Sequence, residues 1–175
     1  MKLEVNPVIE DYIKFARVAL FEQKQVRRSI AFQSAALPIL AMLITLLGRP
    51  INWTNVFFAA CLSVLWIVFY PKIFKKMLGK RVENSVKDMA NKNEHFLDPF
   101  IIEQVEGGLK AVRNGEEYNL LYDDIEMYNE DEEHLFLIGG GFDFIIPRRA
   151  FNSDEEFNRM KDQIDFAIQV ELKRN

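Results

Sequence analysis

Few residues in this chain have the types that do chemistry, and their spacing bounds what they can do. His95 and His134 are the only histidines. Neither sits in a metal-ligand spacing such as His-Glu-x-x-His, so each reads as a loop or strand-end histidine. The single cysteine, Cys61, lies inside an apolar run, where no thiolate is stable, so it reads as a small apolar filler. It also leaves no disulfide framework and no cysteine-based metal site. Gly139-Gly140-Gly141 lacks the Lys-Ser/Thr and the following helix of a phosphate loop and reads as a hairpin turn. Asp123 to Glu133 holds seven acids and no base. Such a run can attract a cation or a basic partner, but it lacks the ligand spacing of a calcium loop and reads first as a solvated turn region. Asp123 and Asp124 are adjacent, so on an extended chain they point to opposite faces and cannot act as a dyad. The expectation is a non-catalytic protein with no catalytic, cofactor-binding or metal-binding residues and no cofactor.

What remains is positive charge. Arg148-Arg149 sits between the apolar run "FDFII" and a helix start, and "PKIFKKMLGKR" carries Lys72, Lys75, Lys76, Lys80 and Arg81. These seven are the candidate partner- or lipid-binding residues. Arginine suits bidentate binding of carboxylate or phosphate, and each basic residue near an anionic leaflet is worth roughly 1 kcal/mol. The plainer reading of Lys72 to Arg81 is a topology signal. The plainer reading of the arginines is a joint held by local pairing with Asp154, Glu155 or the acidic run, worth about 0–1 kcal/mol. On that reading Phe151 and Phe157 bracket the helix entry on a short extended corner, and Phe151 matters more to stability than the arginines. The net charge of −4 argues against nucleic acid as a partner.

The elements that position these groups fall into unlike regions. From Ser29 to Phe69 the only charge is Arg49. Ser29 to Gly48 and Ile51 to Tyr70 are uncharged runs, each long enough at 1.5 Å per residue to span a hydrocarbon core of about 30 Å. Their Leu, Ile, Val and Phe residues contribute on the order of −5 kcal/mol of insertion energy per run. Trp53, Trp66 and Tyr70 suit interfacial belts, and Pro38 is tolerated in a membrane helix. The alternative is a buried helical hairpin of a soluble protein. The turn Gly48-Arg49-Pro50 makes the helices antiparallel neighbours. Lys24, Arg27 and Arg28 before them and the basic stretch after them put both termini in the cytoplasm by the positive-inside rule.

The divisions expected are residues 1–28, an N-terminal strand and amphipathic helix; 29–71, the transmembrane hairpin; 72–93, a basic juxtamembrane helix; and 94–175, a cytoplasmic domain. Asn6-Pro7 reads as a helix start. Ile9, Tyr12, Ile13, Ala16, Ala19 and Leu20 form its apolar face, packed on the membrane surface or on the domain, with Asp11 outside it. After Glu94 the pattern turns strand-like, with hairpin turns at Gly107-Gly108, Asn114-Gly115 and Gly139 to Gly141. Pro147 ends a strand, and Ser153 with Glu156 is a capping box. A last helix carries Phe157, Met160, Ile164, Ala167, Ile168 and Leu172 on one face. The expected core adds Ile102, Val105, Leu109, Val112, Leu120, Ile125, Leu135, Leu137, Phe144 and Ile146. The fold class is α+β: a transmembrane helical hairpin plus one strongly bent antiparallel β-sheet closed by a C-terminal amphipathic helix, with Lys2 to Val5 as a candidate extra strand.

"EDYIKF" (Glu10 to Phe15), the hairpin, "YDDIEMYNEDEEHLFL" (Tyr122 to Leu137) and "IIPRRAF" (Ile145 to Phe151) together resemble the YcxB-like proteins over nearly the whole chain. The family's common form of the last motif is Pro-Lys-Arg-Ala-Phe, so Arg148 departs from it. The resemblance implies a bacterial two-span protein of the cytoplasmic (inner) membrane with a pleckstrin-homology-like (PH-like) C-terminal domain. It implies no activity.

Two functions follow from these readings. The first is a membrane-anchored interaction or regulatory module that binds a protein partner at the cytoplasmic face, including an inhibitory, immunity-type role against a membrane-active toxin. The alternative is a regulator that binds anionic lipid through the basic residues. Membrane lipids are a partner in both, and homo-oligomers stay open. No ionisable residue lies mid-span, which argues against transport.

Overall fold

The two apolar runs form the two longest helices of the chain. The computed structural model describes residues 2–48, 51–139 and 141–172, without the side chains of 171 and 172. The Arg49-Pro50 turn, Gly140 and the Leu172 side chain lie outside that description. The element order is β1 (Lys2–Val5), α1 (Ile9–Glu22), α2 (Lys24–Leu47), α3 (Trp53–Lys92), β2 (Phe100–Val105), β3 (Gly108–Arg113), β4 (Glu116–Leu121), β5 (Met127–Glu130), β6 (His134–Gly139), β7 (Phe142–Pro147) and α4 (Asp154–Leu172). Short 3-10 turns fill Tyr122–Asp124 and Arg148–Ala150.

The chain divides into two units. Residues 17–84 form one; Met1–Ala16 and Ser85–Asn175 form the other. The helical unit carries two helices long and apolar enough to cross a membrane, with mean hydropathy 2.1 and 2.0 over their most apolar windows. Those windows are 11% and 0% buried, so among the described residues no protein layer covers them, unlike the core hairpin of a soluble protein. Polar groups within the helices are satisfied locally. Ser63 Oγ donates to the Ala59 carbonyl at 2.7 Å, and Thr45 Oγ1 to the Met42 carbonyl at 2.9 Å. The Tyr70 hydroxyl donates to Gln33 Oε1 across the two helices. Asn52 Oδ1 accepts from the Thr54 N–H at 3.0 Å and caps α3, which continues past Pro71 without a break. The second apolar run and the basic stretch behind it are thus one helix of 40 residues.

The other unit holds two antiparallel sheets where one was expected: β1-β2-β3-β4 and β5-β6-β7. The 3-10 turn at Tyr122–Asp124 takes the chain out of the first ladder, and β5 pairs with β6 instead. Gly139 sits where the sheets approach; a Cβ there would lie 2.4 Å from the Asp124 carbonyl oxygen, which leaves no room for a side chain. Asn114 and Gly115 both take positive φ, 52° and 83°, as the two-residue hairpin turn requires. Both sheets and α4 share one core, with Leu3, Val5, Phe100, Ile102, Leu109, Ala111 and Leu120 from the first sheet, Leu135, Leu137, Phe144 and Ile146 from the second, and Phe157, Met160 and Ile164 from α4.

Two expected core positions are corrected. Val105 is 38% exposed and Val112 is half-buried outside the core. Each stands three residues from a true core position, Ile102 and Leu109, and an odd offset in a strand points to the opposite face. Ala111 takes the place assigned to Val112. On the second sheet Phe136 and Ile145 are buried as well, on the face opposite Leu135 and Ile146. Phe15 of α1 meets Phe136 there at 5.9 Å between ring centroids. Burial on both faces explains why "HLFLI" and "FDFII" read as nearly continuous apolar runs.

The compact unit is therefore wider than residues 94–175. β1 pairs with β2 from Lys2↔Glu103 to Val5↔Phe100 and buries Leu3 and Val5. At about 25 cal/mol per Å² of apolar surface, losing this strand and the α1 residues Ile13 and Phe15 removes several kcal/mol, comparable with a domain's whole stability. A fragment of residues 93–175 alone is expected to give a poorly cooperative urea transition by circular dichroism. A chain in which a flexible linker joins residue 16 to residue 85 is expected to unfold cooperatively. Equal stability of the two would show that the N-terminal segment is dispensable.

Candidate functional site

The Arg148-Arg149 corner and the start of α1 meet in one polar cluster. Pro147 ends β7 opposite His134, and the 3-10 turn that follows turns the chain toward α4. The corner is thus helical in turn, not extended. The two arginines leave it in different directions, as adjacent residues do. Arg148 Nε donates to Asp154 Oδ1 at 2.7 Å, Nη1 donates to the Glu132 carbonyl at 3.2 Å, and the guanidinium lies 5.5 Å from the centre of the Phe157 ring. Arg149 turns to α1. Its Nη1 donates to Asp11 Oδ1 at 2.8 Å and its Nη2 to Asp11 Oδ2, a bidentate pair. Nη2 also reaches the Asn6 carbonyl at 3.3 Å.

Asp11 is 2% exposed, although the apolar periodicity of α1 puts it outside the packed face. Four donors surround it. Besides the two from Arg149, the Val8 N–H donates to Oδ2 at 2.9 Å, and His134 Nε2 lies 2.9 Å from Oδ1. The Val8 bond corrects the expected helix start. α1 begins at Ile9, Val8 stands where Asn6 was expected, and the Asp11 side chain reaches back to cap it. His134 is buried as well, at the first residue of β6. Its Nδ1 lies 3.1 Å from Asp131 Oδ1, and its ring stacks on Phe136 at 5.3 Å. Lys14, one turn along α1, pairs with Glu133. Burial pushes the Asp11 carboxyl up, but the bonds from His134, Arg149 and Val8 outweigh it and hold the carboxyl well below the usual range. Asp131 is likewise held low, its desolvation outweighed by the Glu133 N–H and His134.

This arrangement joins elements and is poorly suited to catalysis. A carboxylate that stays ionised far below neutral pH is a weak base, and every donor near it is already engaged. A hollow of about 420 Å³ opens beside the cluster between Glu133, Arg148, Phe151 and Ser153. Ser153 Oγ accepts from the Glu156 N–H at 3.3 Å, and Glu156 Oε2 accepts from the Asn152 N–H at 3.2 Å, so the capping box closes one residue early. Phe151 and Phe157 meet edge to face at 5.4 Å, the bracket expected at the helix entry. Among the described residues no group of three or more His, Cys, Asp or Glu could hold a metal ion.

The other sequence-derived candidates stand elsewhere. Lys72, Lys75, Lys76, Lys80 and Arg81 are exposed on the second half of α3, in the helical unit. At 100° per residue the four lysines share one side and Arg81 faces away. They make no ion pair among the described residues. Asp11, Asp131 and His134 were not among the sequence-derived candidates. Nothing in the spacing of α1 marks Asp11 as buried.

The cluster bears on identity, because most of its residues lie in one recognisable stretch. Residues 106–164 match the family model described as YcxB-like protein. Over this stretch, about a third of the chain, the sequence is similar to that family. The match takes in β3 to β7, His134, Arg148-Arg149 and most of α4, and leaves out α1 and both apolar helices. No curated protein matches the chain. The matched stretch thus supplies His134 and Arg149, and α1, outside it, supplies the carboxylate they hold.

Removing one partner of a buried pair costs more than breaking an exposed one. Arg149→Glu is expected to cost about 2–3 kcal/mol, discounted because the Arg149 side chain is 47% exposed. Arg148→Glu is expected to cost about 1 kcal/mol or less, and Phe151→Ala, only half-buried, about 2 kcal/mol. Pulse proteolysis in urea of the detergent-solubilised chain ranks them; Arg148→Glu as the costliest would contradict the assignment.

Acid provides a second check. Asp11 is depressed in the folded state below its ordinary 3.8, so its contribution is present above that value and lost as pH falls toward the folded one. The urea midpoint is expected to fall from about pH 5 to about pH 3, less steeply in Asp11→Asn. Identical slopes would remove Asp11 from the account.

Proposed function

We propose that this protein is a membrane-anchored, non-catalytic interaction module of the bacterial cytoplasmic membrane that binds a protein partner at the cytoplasmic face. The observation that carries the reading is the split unit. Residues 1–16 and 85–175 belong to one folded body, and the segment between them supplies two exposed apolar helices of membrane-spanning length. A segment that leaves a folded body and returns to it must cross a bilayer an even number of times, which suits two spans. The basic flanks of those spans favour the cytoplasm for both termini. Seven strands in sheets of four and three, closed by α4, support a PH-like fold for the body. Its polar cluster is internally saturated, which favours a binding role over a chemical one. An inhibitory, immunity-type partner in the same membrane is the narrower form of the proposal.

A second reading, an anionic-lipid-binding regulator, is favoured by one observation: the exposed lysine face of α3 next to the second apolar run. Pull-down from detergent extracts separates the two. A stoichiometric protein partner is expected. Its absence, with retained binding to phosphatidylglycerol vesicles that is lost when Lys72, Lys75, Lys76 and Lys80 become Gln, would favour lipid.

The topology has its own test in intact cells with Cys61 replaced. A cysteine at Asn52 is expected to react with an impermeant thiol reagent from outside, and one at Lys92 is not. The reverse pattern would overturn the orientation.

A further inference from the structure

The outer face of α4 carries a feature that the polar cluster does not use. Phe166 is 70% exposed and Val170, one turn on, is 40% exposed. A single exposed aromatic is ordinary on a protein surface. Phe166, however, stands between two hollows. The larger, about 720 Å³, lies between Gln104 and Tyr122 on one side and the first half of α4 on the other. The smaller, about 370 Å³, is lined by Gly107, Leu121, Asp123, Ala167 and Val170. Tyr122 and Phe166 line both, so the two hollows flank one aromatic ridge. Leu121 adds a third exposed large apolar side chain.

The charge around this ridge is one-sided. Glu155 and Asp162 line the larger hollow and Asp123 the smaller; Arg159 is the one basic residue lining either among the described residues. The acidic run divides here. In its far half Glu130 pairs with Lys161 at 2.7 Å, Glu133 pairs with Lys14, and Asp131 Oδ1 lies 3.1 Å from His134 Nδ1. Its near half, Asp123, Asp124 and Glu126, has no ion partner among the described residues. Uncompensated acids beside exposed apolar side chains repel an anionic lipid surface and attract a cationic one.

We propose that this face docks a cationic amphipathic segment of a protein partner, with apolar side chains seated in the hollows on either side of Phe166 and Lys or Arg facing Asp123 and Asp162. Apolar anchors spaced by one or two helical turns match a ridge flanked by two hollows, the helix-in-groove mode. The proposal rests on the reading that the domain binds a protein, and it names where and what kind.

The test uses the full chain in nanodiscs of zwitterionic phosphatidylcholine. The probe is an amphipathic Leu/Lys helical peptide carrying a photoreactive leucine, with a Leu/Glu peptide as counterpart and empty discs as blank. Crosslinks mapped by mass spectrometry are expected at Tyr122 and Phe166. Phe166→Ser, which removes only an exposed ring, is expected to weaken binding about tenfold. Asp123→Lys with Asp162→Lys is expected to weaken it similarly and to shift preference toward the Leu/Glu peptide. Crosslinks confined to α2, α3 or lipid, or variants that bind as tightly as the wild type, would overturn the site. A cellular partner that pulls down equally with the wild type and Phe166→Ser would overturn it while leaving the interaction module standing. Failure of the wild-type chain to bind either the Leu/Lys peptide or any cellular partner would remove both.

Discussion

A carboxylate buried within the first dozen residues is the constraint on which the sheet-bearing unit depends. Removing Asp11 from water costs several kcal/mol unless its lone pairs are filled. They are filled by one nearby group, the Val8 N–H, and by two far away in sequence, His134 at the start of β6 and Arg149 after β7. Each donor fixes a direction. Together they hold the first turn of α1 to one end of the second sheet, while β1 pairs with β2. Hydrophobic contact adds area here, but the bidentate pair allows only one geometry, so it specifies how α1 sits on the sheet more than it adds stability.

The split of this unit by residues 17–84 gives that specificity a purpose. The chain must fold its first and last parts into one body with two long apolar helices between them. β1 is short, with four residues, and a register slip by one would turn Leu3 and Val5 out of the core. The pairing of Asp11 with Arg149 spans 138 positions and does not depend on that register. One contact is apolar and the other ionic, so neither alone decides how the N-terminal segment docks.

What was legible in the sequence follows from the range of the forces involved. The apolar helices were legible because each needs only its own composition. The Asn114-Gly115 turn and the Ser153 cap were legible because they are satisfied within a few residues. The bracket of Phe151 and Phe157 was legible for the same reason. The strands were found, but their faces were misread at Val105 and Val112, where apolar character was weighed without strand parity. The cluster at Asp11 was not legible. An acid in the first turn of a helix has a sufficient local explanation in the helix dipole, and nothing in the spacing marks it as buried. Arg149 was singled out as a charge that could pair locally or serve a partner; its actual partner stands at the other end of the chain.

The central claim is that Asp11 and Arg149 form one energetic unit, and a double-mutant cycle on the full chain measures it. Asp11→Asn, Arg149→Gln and the double variant are compared by urea denaturation in the same detergent. The account predicts a coupling energy of about 1.5 kcal/mol or more, with the double variant losing less than the two singles combined. A coupling energy within about 0.3 kcal/mol of zero would contradict it, because independent sites simply add.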